Sequence, residues 1–453
     1  MLTELRIQNF KSWADTGAMR FAPITGFFGA NSSGKSSILQ FLLMLKQTTE
    51  SNDVMTVLNL GDERAYIELG TFYDVIHQHD SINRLEFQVS WDRILKGDED
   101  MRSALKFQAE IGEINIYGNV RIALNSFKYW NGNDSVGVRL RFSPTQEGGE
   151  LIHVFEDPVL GVNSMVFVTN FYSVPRGLSM IDEQKIEEMS FQARYDEYVE
   201  KIIRNASDLE SLFRSIYYIG PLRSYPERIY AWGGMEPVDV GRYGEKAVQA
   251  LIASKLRSEY TSDYAGNRVF RWLKAMGLVD EFLIEPIAQG RREYEIRIKK
   301  TSSSPYVSLV DVGFGVSQVL PILTLCYHAQ QGSVILLEQP ELHLHPSAQS
   351  VLADFLIEVI KERNLQIVLE SHSEHLLRRL QRRIAEEKLS AEDAALYFCE
   401  IENGASKLTS LQLDPFGNIT NWPKDFFGDE MGELHALTVA GIKRKRNGHE
   451  SHS

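Results

Sequence analysis

Residues 29 to 37 read GANSSGKSS, and this stretch decides what kind of fold the chain can adopt. Gly29, Gly34, Lys35 and Ser36 fit the pattern G-x-x-x-x-G-K-[ST]. The stretch follows a short apolar run, ITGFFG, and precedes SSILQFLLMLKQT, in which apolar residues recur at helical spacing. A glycine-rich turn between a strand and a helix directs backbone N–H groups toward a phosphate. The stretch therefore predicts a phosphate-binding loop.

The polar residues of this loop are predicted to bind ATP together with Mg²⁺. Lys35 is expected to bridge the β- and γ-phosphates, and the hydroxyl of Ser36 is expected to be a Mg²⁺ ligand. The candidate nucleotide-binding residues of the loop are Gly29, Asn31, Ser33, Gly34, Lys35, Ser36 and Ser37.

A second motif, VILLEQPELHLHP at residues 334 to 346, is an apolar strand that ends in acidic residues. A P-loop ATPase needs a strand beside the loop strand whose end carries an acid for Mg²⁺ and a group that orients the attacking water. Glu338 fits the first role, as a metal ligand with Ser36, and Gln339 stands at the water-facing position. Glu341, beyond Pro340, is an alternative base. We expect this strand to neighbour the loop strand.

Two further motifs complete the pattern in the chain order that such a site requires. DVGFGVSQVLPIL, residues 311 to 323, is a glycine-rich turn that opens an apolar helix, and it predicts a second anion-binding helix N-terminus. QIVLESHSEHLL is a short strand that ends in Ser371 and His372, where an imidazole can reach a γ-phosphate. A single histidine after a strand is usually a surface residue. Four motifs in order favour the functional interpretation.

Composition narrows the class of protein. The chain has 453 residues with 48 basic and 61 acidic side chains, a formal charge of −13, so no overall basic field attracts nucleic acid. Cys326 and Cys399 both stand in apolar runs, which favours inert buried thiols in a reducing compartment. The sequence has neither a signal peptide nor an apolar run of about 18 residues. We expect a cytoplasmic protein without a membrane segment.

The motifs divide the chain into an α/β core and an insertion. Residues 1–50 and 301–400 are predicted to form the ATPase core. Residues 51–300 are predicted to be an inserted region, first β-rich (RLEFQVSW, INIYGNVRIAL, VGVRLRFS) and then helical (DEQKIEEMSFQARYDEYVEKIIRN, EKAVQALIASKLRSEY). Residues 401–453 form a C-terminal module with the basic tail KRKRNGHESHS.

Taken together, the motifs resemble those of the ATP-binding-cassette (ABC) ATPases, and specifically their SMC, RecF and OLD-like branch. LRIQNFKSW leading into GANSSGKSS is similar to the start of SMC and RecF proteins, and LEQPELHLHP resembles the OLD-like group. GNITNWPKDFFGDE resembles a C-terminal module of unknown function found in a bacterial subset of these ATPases. OLD-like nucleases carry a C-terminal Toprim domain, which we do not expect in this chain.

The resemblance implies a P-loop NTPase fold of the ABC-ATPase head type and assigns further roles. Glu338 would be the Walker B acid and His372 the switch histidine. The signature, Gly315, Ser317 and Gln318, would contact the γ-phosphate held by the opposite subunit. The chain departs from the family at Gln339, where a catalytic glutamate is usual, and at His345, where an aspartate is usual. An amide cannot accept the proton of water at neutral pH, so slow hydrolysis is expected. Gln47 is a positional guess for the Q-loop.

We therefore expect an ATPase that forms a homodimer or larger assembly around two ATP molecules. The resemblance suggests that it controls a separately encoded effector in bacterial DNA maintenance or anti-phage defence. One alternative is a DNA-binding repair or maintenance ATPase of the RecF or SMC type, supported by the basic residues Arg291, Arg292, Lys299 and Lys300 in QGRREYEIRIKK. An alternating charged strand is more often simply solvated. The other alternative, the ATPase subunit of a transporter, is disfavoured by the long insertion.

Overall fold

A computed structural model describes the greater part of the chain. The described residues are 1–53, 56–80, 82–94, 102–116, 119–132, 134–144, 151–156, 163–165, 189–258, 265–423, 426 and 440.

The strands, in chain order, are β1 (Leu2–Phe10), β2 (Trp13–Asp15), β3 (Met19–Arg20), β4 (Ile24–Gly29), β5 (Leu85–Ile94), β6 (Arg102–Ile116), β7 (Asn119–Asn131), β8 (Asp134–Pro144), β9 (Leu151–Glu156), β10 (Asn163–Met165), β11 (Ile216–Ile219), β12 (Tyr230–Ala231), β13 (Glu281–Pro286), β14 (Glu293–Lys299), β15 (Val307–Ser308), β16 (Val334–Glu338), β17 (Gln366–Glu370), β18 (Ala394–Glu402) and β19 (Ala405–Leu411). The α-helices are α1 (Lys35–Thr49), α2 (Phe72–Val75), α3 (Met189–Arg214), α4 (Ala247–Ser258), α5 (Ala265–Ala275), α6 (Phe314–His328), α7 (Pro346–Glu362) and α8 (Glu374–Ala385). Short 3-10 helices lie at His77–His79, Leu309–Asp311 and Ala391–Asp393.

The site is positioned by a central sheet with the strand order β11, β16, β17, β4, β18, β19. Neighbouring strands from β11 to β18 run parallel, and β19 returns antiparallel to β18. Every residue of β16 and of β17 is buried. Near-continuous apolar runs of this kind are typical of parallel strands that are covered on both faces.

The order of these strands corrects one prediction. The acidic strand β16 does not neighbour the loop strand β4, because β17 pairs with both and lies between them. The helix α7 carries the chain from β16 across to β17, and a crossover connection of this kind sets strand order through packing rather than through strand composition. On the side of β16, the strand that directly neighbours the loop strand is therefore β17, which ends in Glu370.

The two faces of the central sheet pack against different partners. Val334 and Leu336 of β16 belong to one apolar cluster, together with the buried face of α1 and residues of β1, β5, β6 and β7. Ile335 and Leu337, which point to the opposite face, belong to a second cluster with residues of α4 to α8. Alternate residues of one strand therefore anchor two separate layers, because successive side chains of a strand point to opposite faces.

Two antiparallel sheets flank the central one among the described residues. The larger has the order β10, β9, β8, β7, β6, β5, β1, β2, with β3 also paired to β1. The smaller has the order β12, β14, β13, with β15 also paired to β14. The predicted strands at RLEFQVSW, INIYGNVRIAL and VGVRLRFS are confirmed as β5, the β6–β7 hairpin and β8. The predicted helices are confirmed as α3 and α4, and residues 182–188 and 259–260 of those stretches lie outside the described residues.

The predicted domain boundaries at residues 50, 300 and 400 stay a prediction. Two strand pairings cross these boundaries. β11, inside the predicted insertion 51–300, pairs with β16 in the central sheet. The β18–β19 hairpin crosses the predicted boundary at residue 400. The basic tail lies outside the described residues.

Two properties of the chain as a whole can be stated for the described residues. Cys326 and Cys399 are confirmed as buried, unpaired thiols, and burial raises the pKa of each to about 12. Within the ranges given above, no helix combines the length and the apolar character that crossing a membrane requires.

Candidate nucleotide-binding site

The predicted phosphate-binding loop connects β4 to α1, and two of its glycines hold conformations closed to other residues. Gly29 has φ 132° and pairs with Cys399 of β18, and a Cβ atom there would lie 2.0 Å from the Cys399 carbonyl oxygen. Gly34 immediately precedes α1 with φ 90° and ψ 4°, in the left-handed region. Side chains at these positions would be strained and would displace the neighbouring strand. The glycines of the motif are therefore required by the backbone itself.

Three residues from distant parts of the chain enclose Gly34. Trp13 Nε1 donates a hydrogen bond to the Gly34 carbonyl oxygen over 3.0 Å, and Trp13 is fully buried. Ser406 of β19 donates through its hydroxyl to Ser12 Oγ over 2.6 Å. A Cβ on Gly34 would lie 2.4 Å from Ser406 Oγ, 2.8 Å from Trp13 Nε1 and 2.9 Å from Ser12 Oγ. The loop is thus held by the first strands and by the C-terminal hairpin together.

Lys35 folds back over the loop. Its Nζ donates to the carbonyl oxygens of Ala30 over 2.6 Å and of Gly29 over 3.2 Å, and the residue is only 3% exposed. Burial lowers the pKa of Lys35, and the negative charge of Glu370 partly offsets that effect. The loop carbonyls therefore hold the ammonium group in the position from which it can contact phosphate oxygens.

A cavity of about 330 Å³ lies over the N-terminus of α1. Its size is within the range of small-molecule sites. Three of the predicted motifs meet in it, because residues of the loop, Gln339 and His372 all line its wall. The lining residues are Ser12, Asn31, Ser32, Ser33, Gly34, Lys35, Ser36, Ser37, Gln40, Gln339, Glu370 and His372. His372 is exposed at this cavity, and partial burial followed by the charge of Lys35 lowers its pKa.

Glu338, predicted to be the acid on the Mg²⁺ side, does not line this cavity. It is buried at the end of β16, where its Oε1 accepts a hydrogen bond from the hydroxyl of Tyr218 over 2.9 Å. Burial, and then the charge of Glu370, raise the pKa of Glu338 to about 7. Tyr218 on β11 had no signal in the sequence, because only the tertiary fold brings β11 beside β16.

The turn after β16 determines which side chain faces the loop. Gln339 has φ 44°, and its N–H donates to the Glu370 carbonyl oxygen over 2.9 Å. The guanidinium group of Arg223 donates to the carbonyl oxygens of Glu338 and Gln339 over 2.9 and 3.1 Å. The backbone of Gln339 is thereby fixed in the left-handed region, which non-glycine residues adopt only when their surroundings impose it. Its side chain lines the cavity as a result.

Glu341 is placed differently from Gln339. It is buried, does not line the cavity, and accepts a hydrogen bond through Oε1 from the backbone N–H of His372 over 2.7 Å. Burial raises the pKa of its carboxyl group. Glu341 links the end of β16 to the switch segment after β17.

Glu370, at the end of β17, is the residue that the sequence reasoning missed. Its Oε2 accepts a hydrogen bond from Ser36 Oγ over 2.7 Å, and its Oε1 lies 4.0 Å from Lys35 Nζ. The residue is buried and lines the cavity, and burial raises its pKa. A signal was available, since QIVLE ends in an acid just as VILLE does.

The predicted signature residues lie away from this cavity. Gly315, Ser317 and Gln318 stand in the first turns of α6, and none of them lines the cavity at the loop. Ser317 donates through its hydroxyl to the Phe314 carbonyl oxygen over 2.8 Å and borders a separate cavity with Tyr225. Phe314 is 55% exposed. The described chain thus carries the loop and the signature at separate places.

Gln47 and His345, which the sequence analysis considered as site residues, do not line the cavity and make structural contacts elsewhere. Gln47 is buried, donates from Nε2 to the Asn59 carbonyl oxygen over 2.7 Å, and accepts from the Ile67 N–H, so the Q-loop guess is wrong. A helical residue facing the core cannot reach the cavity. His345 begins α7 as its N-cap, where Nδ1 accepts from the Ser347 N–H over 3.3 Å.

The basic residues proposed for DNA binding lie on and around β14. Lys299 pairs with Glu281 over 2.8 Å, and Arg297 lies 3.9 Å from Glu295. Of the four residues proposed for DNA binding, Arg291, Arg292, Lys299 and Lys300, these pairings concern Lys299 alone, so the DNA-binding alternative stays a prediction.

The chemistry of the cavity suits a Mg²⁺-bound nucleoside triphosphate. The N-terminus of α1 offers backbone N–H groups and the positive end of the helix dipole, and its first turn contains no acidic residue. Lys35 adds an ammonium group. A hydroxyl and a carboxylate, from Ser36 and Glu370, lie 2.7 Å apart and supply the oxygen ligands that Mg²⁺ prefers. Mg²⁺ held by these two residues would supply positive charge opposite the phosphates.

The fold and the site define a P-loop ATPase. A family model described as an AAA ATPase domain matches residues 1–133 and 246–377, which is more than half of the chain. The chain belongs to this AAA ATPase domain family. A second model, described as a protein of unknown function (DUF3696), matches residues 389–437 and covers the β18–β19 hairpin.

Solved structures with a similar chain path include three SMC head domains. One, bound to the C-winged helix domain of ScpA, is 13% identical, with 91% of this chain and 98% of that chain covered and a TM-score of 0.43. The head domain from Thermotoga maritima is 12% identical, with 91% and 99% covered and a TM-score of 0.39. A head domain with an extended coiled coil, bound to the C-terminal domain of ScpA derived from Pyrococcus furiosus, is 13% identical, with 91% and 96% covered and a TM-score of 0.40. No curated protein sequence matches this chain significantly.

Proposed function

We propose that this protein is a slow ATPase that assembles with further copies of itself around ATP and thereby controls a separate effector protein. The resemblance of LEQPELHLHP to the OLD-like group suggests bacterial anti-phage defence as the setting. The ATP-bound assembly is the signalling state, and hydrolysis ends it.

One observation carries the proposal of slow turnover, namely that the side chain at the water-facing position is an amide. Gln339 lines the cavity beside Lys35 and His372. Glu341, the alternative base, is buried outside that lining and accepts the N–H of His372. An amide can orient water but cannot take its proton, and general-base assistance typically contributes about 10² to 10⁴ in rate. Hydrolysis without such a base leaves the ATP-bound state long-lived.

The separation of loop and signature supports assembly between copies. Ser317 and Gly315 lie outside the cavity that contains Lys35. A signature that contacts a γ-phosphate must then do so on the nucleotide of another chain, as the resemblance to ABC ATPases implies. In a two-fold (isologous) interface the same surfaces meet on both subunits, so two such contacts close a symmetric dimer around two nucleotides.

The C-terminal region offers a connection from the site to a partner. Ser406 of β19 contacts Ser12 beside the loop, and β18 pairs with the loop strand along its length. A change in the loop on ATP binding is therefore transmitted directly to the region that the family of unknown function covers. This contact supports the proposal that the region presents or withholds the effector.

Steady-state and single-turnover hydrolysis by three variants tests the role of Gln339. Gln339→Glu should raise turnover, because it restores a carboxylate at the cavity wall, whereas Gln339→Ala should lower it. Glu341→Gln is the matched control in the same turn, and it should change turnover less than Gln339→Ala does. The proposal fails if both Gln339 variants match the wild type while Glu341→Gln is inactive.

Capture from the native host tests the partner. The full chain carrying Gln339→Ala, which should hydrolyse ATP more slowly than the wild type, should retain a specific protein when it is saturated with ATP, and the Lys35→Ala variant should not retain that protein. A salt-dependent shift of plain duplex DNA by the wild-type chain, together with the absence of a retained protein, would instead support the RecF-type or SMC-type alternative.

A further inference from the structure

We infer that Glu370 is a direct ligand of the Mg²⁺ ion that accompanies the nucleotide, and that it shares this role with Ser36. The inference rests on the proposed ATP binding and assigns the metal to a different strand from the one that the sequence motifs indicated.

The spacing of two oxygen atoms supports this assignment. Ser36 Oγ and Glu370 Oε2 lie 2.7 Å apart. Mg²⁺ binds oxygen at about 2.0–2.1 Å in octahedral geometry, so adjacent ligands lie about 2.9 Å from each other. The two atoms therefore already stand at the separation of neighbouring Mg²⁺ ligands. The Ser36 hydroxyl donates its proton to Glu370, and a rotation of the hydroxyl is enough to turn a lone pair of its oxygen toward a cation.

Strand order explains why Glu370, rather than Glu338, occupies this place. β17 pairs directly with the loop strand, with Glu370 opposite Phe27, whereas β16 pairs with the far side of β17, with Glu338 opposite Glu370. Neighbouring strands are about 4.8 Å apart, so Glu338 stands one strand spacing farther from the loop. Its Oε1 is also occupied by the Tyr218 hydroxyl. Of the two strand-end acids, only Glu370 lines the cavity.

The negative charge of Glu370 also affects how tightly the site binds nucleotide. Without a metal ion, the carboxylate of Glu370 lies 4.0 Å from Lys35 Nζ and competes with a phosphate for that ammonium group. The carboxylate of Glu370 and a phosphate group are both negatively charged and repel each other, whereas a metal ion placed between them attracts both. The site should therefore bind nucleotide more tightly with Mg²⁺ than without it, and removal of the Glu370 charge should reduce that preference.

The test measures metal binding rather than turnover. Mn²⁺ is titrated into the full chain saturated with a non-hydrolysable ATP analogue, and free Mn²⁺ is followed by electron paramagnetic resonance. Glu370→Gln should weaken Mn²⁺ binding by more than about a hundredfold, beyond the roughly 10- to 100-fold that loss of a group hydrogen-bonded to a metal ligand typically costs, while Glu338→Gln, a matched acid-to-amide change one strand away, should change it less than about threefold. In EDTA, Glu370→Gln should bind the analogue as tightly as the wild type or more tightly.

Two outcomes would overturn the assignment. One is a Glu370→Gln variant whose Mn²⁺ affinity falls by less than about a hundredfold, which a hydrogen bond to the ligand Ser36 alone would explain, and the other is a loss of Mn²⁺ binding confined to Glu338→Gln. Thermal unfolding in EDTA shows whether Glu370→Gln is folded, and Glu370→Asp, which keeps the charge but shortens the side chain, gives an independent variant with an expected intermediate loss of Mn²⁺ affinity. Failure of the wild-type chain to bind the analogue at all would refute the proposed function itself, which distinguishes the two failures.

Discussion

The hydroxyl of Tyr218 is predicted to control how readily Glu338 ionises, and Tyr218→Phe removes that hydroxyl alone. Tyr218 Oη donates to Glu338 Oε1 over 2.9 Å, and both residues are buried. A hydrogen bond to a charged group contributes about 1.5–3 kcal/mol, and one between neutral groups about 0.5–1.5 kcal/mol. The variant should therefore lose about 2 kcal/mol of unfolding free energy when Glu338 is ionised and about 1 kcal/mol when it is protonated.

The sign of the pH dependence follows from the raised pKa. Burial, and then Glu370, raise the pKa of Glu338 from 4.5 to about 7. Between those pH values the folded protein keeps a proton that the unfolded chain has lost, so the unfolding free energy falls as the pH rises through this window. The effect of this one group is on the order of 3 kcal/mol. Tyr218→Phe raises the pKa of Glu338 further, so the fall should continue to higher pH.

Urea unfolding in EDTA, at about pH 6 and about pH 8.5, measures both effects. The gap in unfolding free energy between wild type and Tyr218→Phe should widen by about 1 kcal/mol from the lower to the higher pH. In a Glu338→Gln background the gap should be the same at both pH values, which provides the control. The reasoning is refuted if wild type and Tyr218→Phe give parallel curves in the native background, since the hydroxyl would then not distinguish the two charge states of Glu338.

Three further predictions concern the loop and the signature. Lys35→Ala should abolish ATP binding in an equilibrium titration, because it removes the ammonium group between the phosphates; wild-type affinity would contradict the site. Gly34→Ala should cost at least about 1–2 kcal/mol of unfolding free energy and weaken ATP binding, since φ there is 90° and its Cβ would collide with Ser406; an unchanged thermal midpoint would count against this. Ser317→Arg should leave ATP binding intact but prevent ATP-dependent association in light scattering, and unchanged association would exclude the composite site.

The sequence by itself was sufficient for everything that depends on local pattern. The glycines at 29 and 34, the lysine and serine that follow, and the amphipathic α1 are neighbours along the chain, so their geometry is set by φ angles and helix periodicity. The same holds for the apolar strands β16 and β17, whose composition required burial on both faces. The sequence also predicted Gln339 at the end of one strand and His372 after the next, and both residues line the cavity.

The tertiary structure alone decided which strand stands beside the loop and which side chains from distant segments complete the site. β17 lies between β4 and β16, so Glu370 contacts Ser36 while Glu338 is held by Tyr218 one strand away. Trp13 and Ser406 enclose Gly34 from opposite ends of the chain. Strand order depends on how the crossover helices pack, and contacts between remote segments depend on strand order. Neither the order nor the contacts produce a pattern in the sequence of the residues involved.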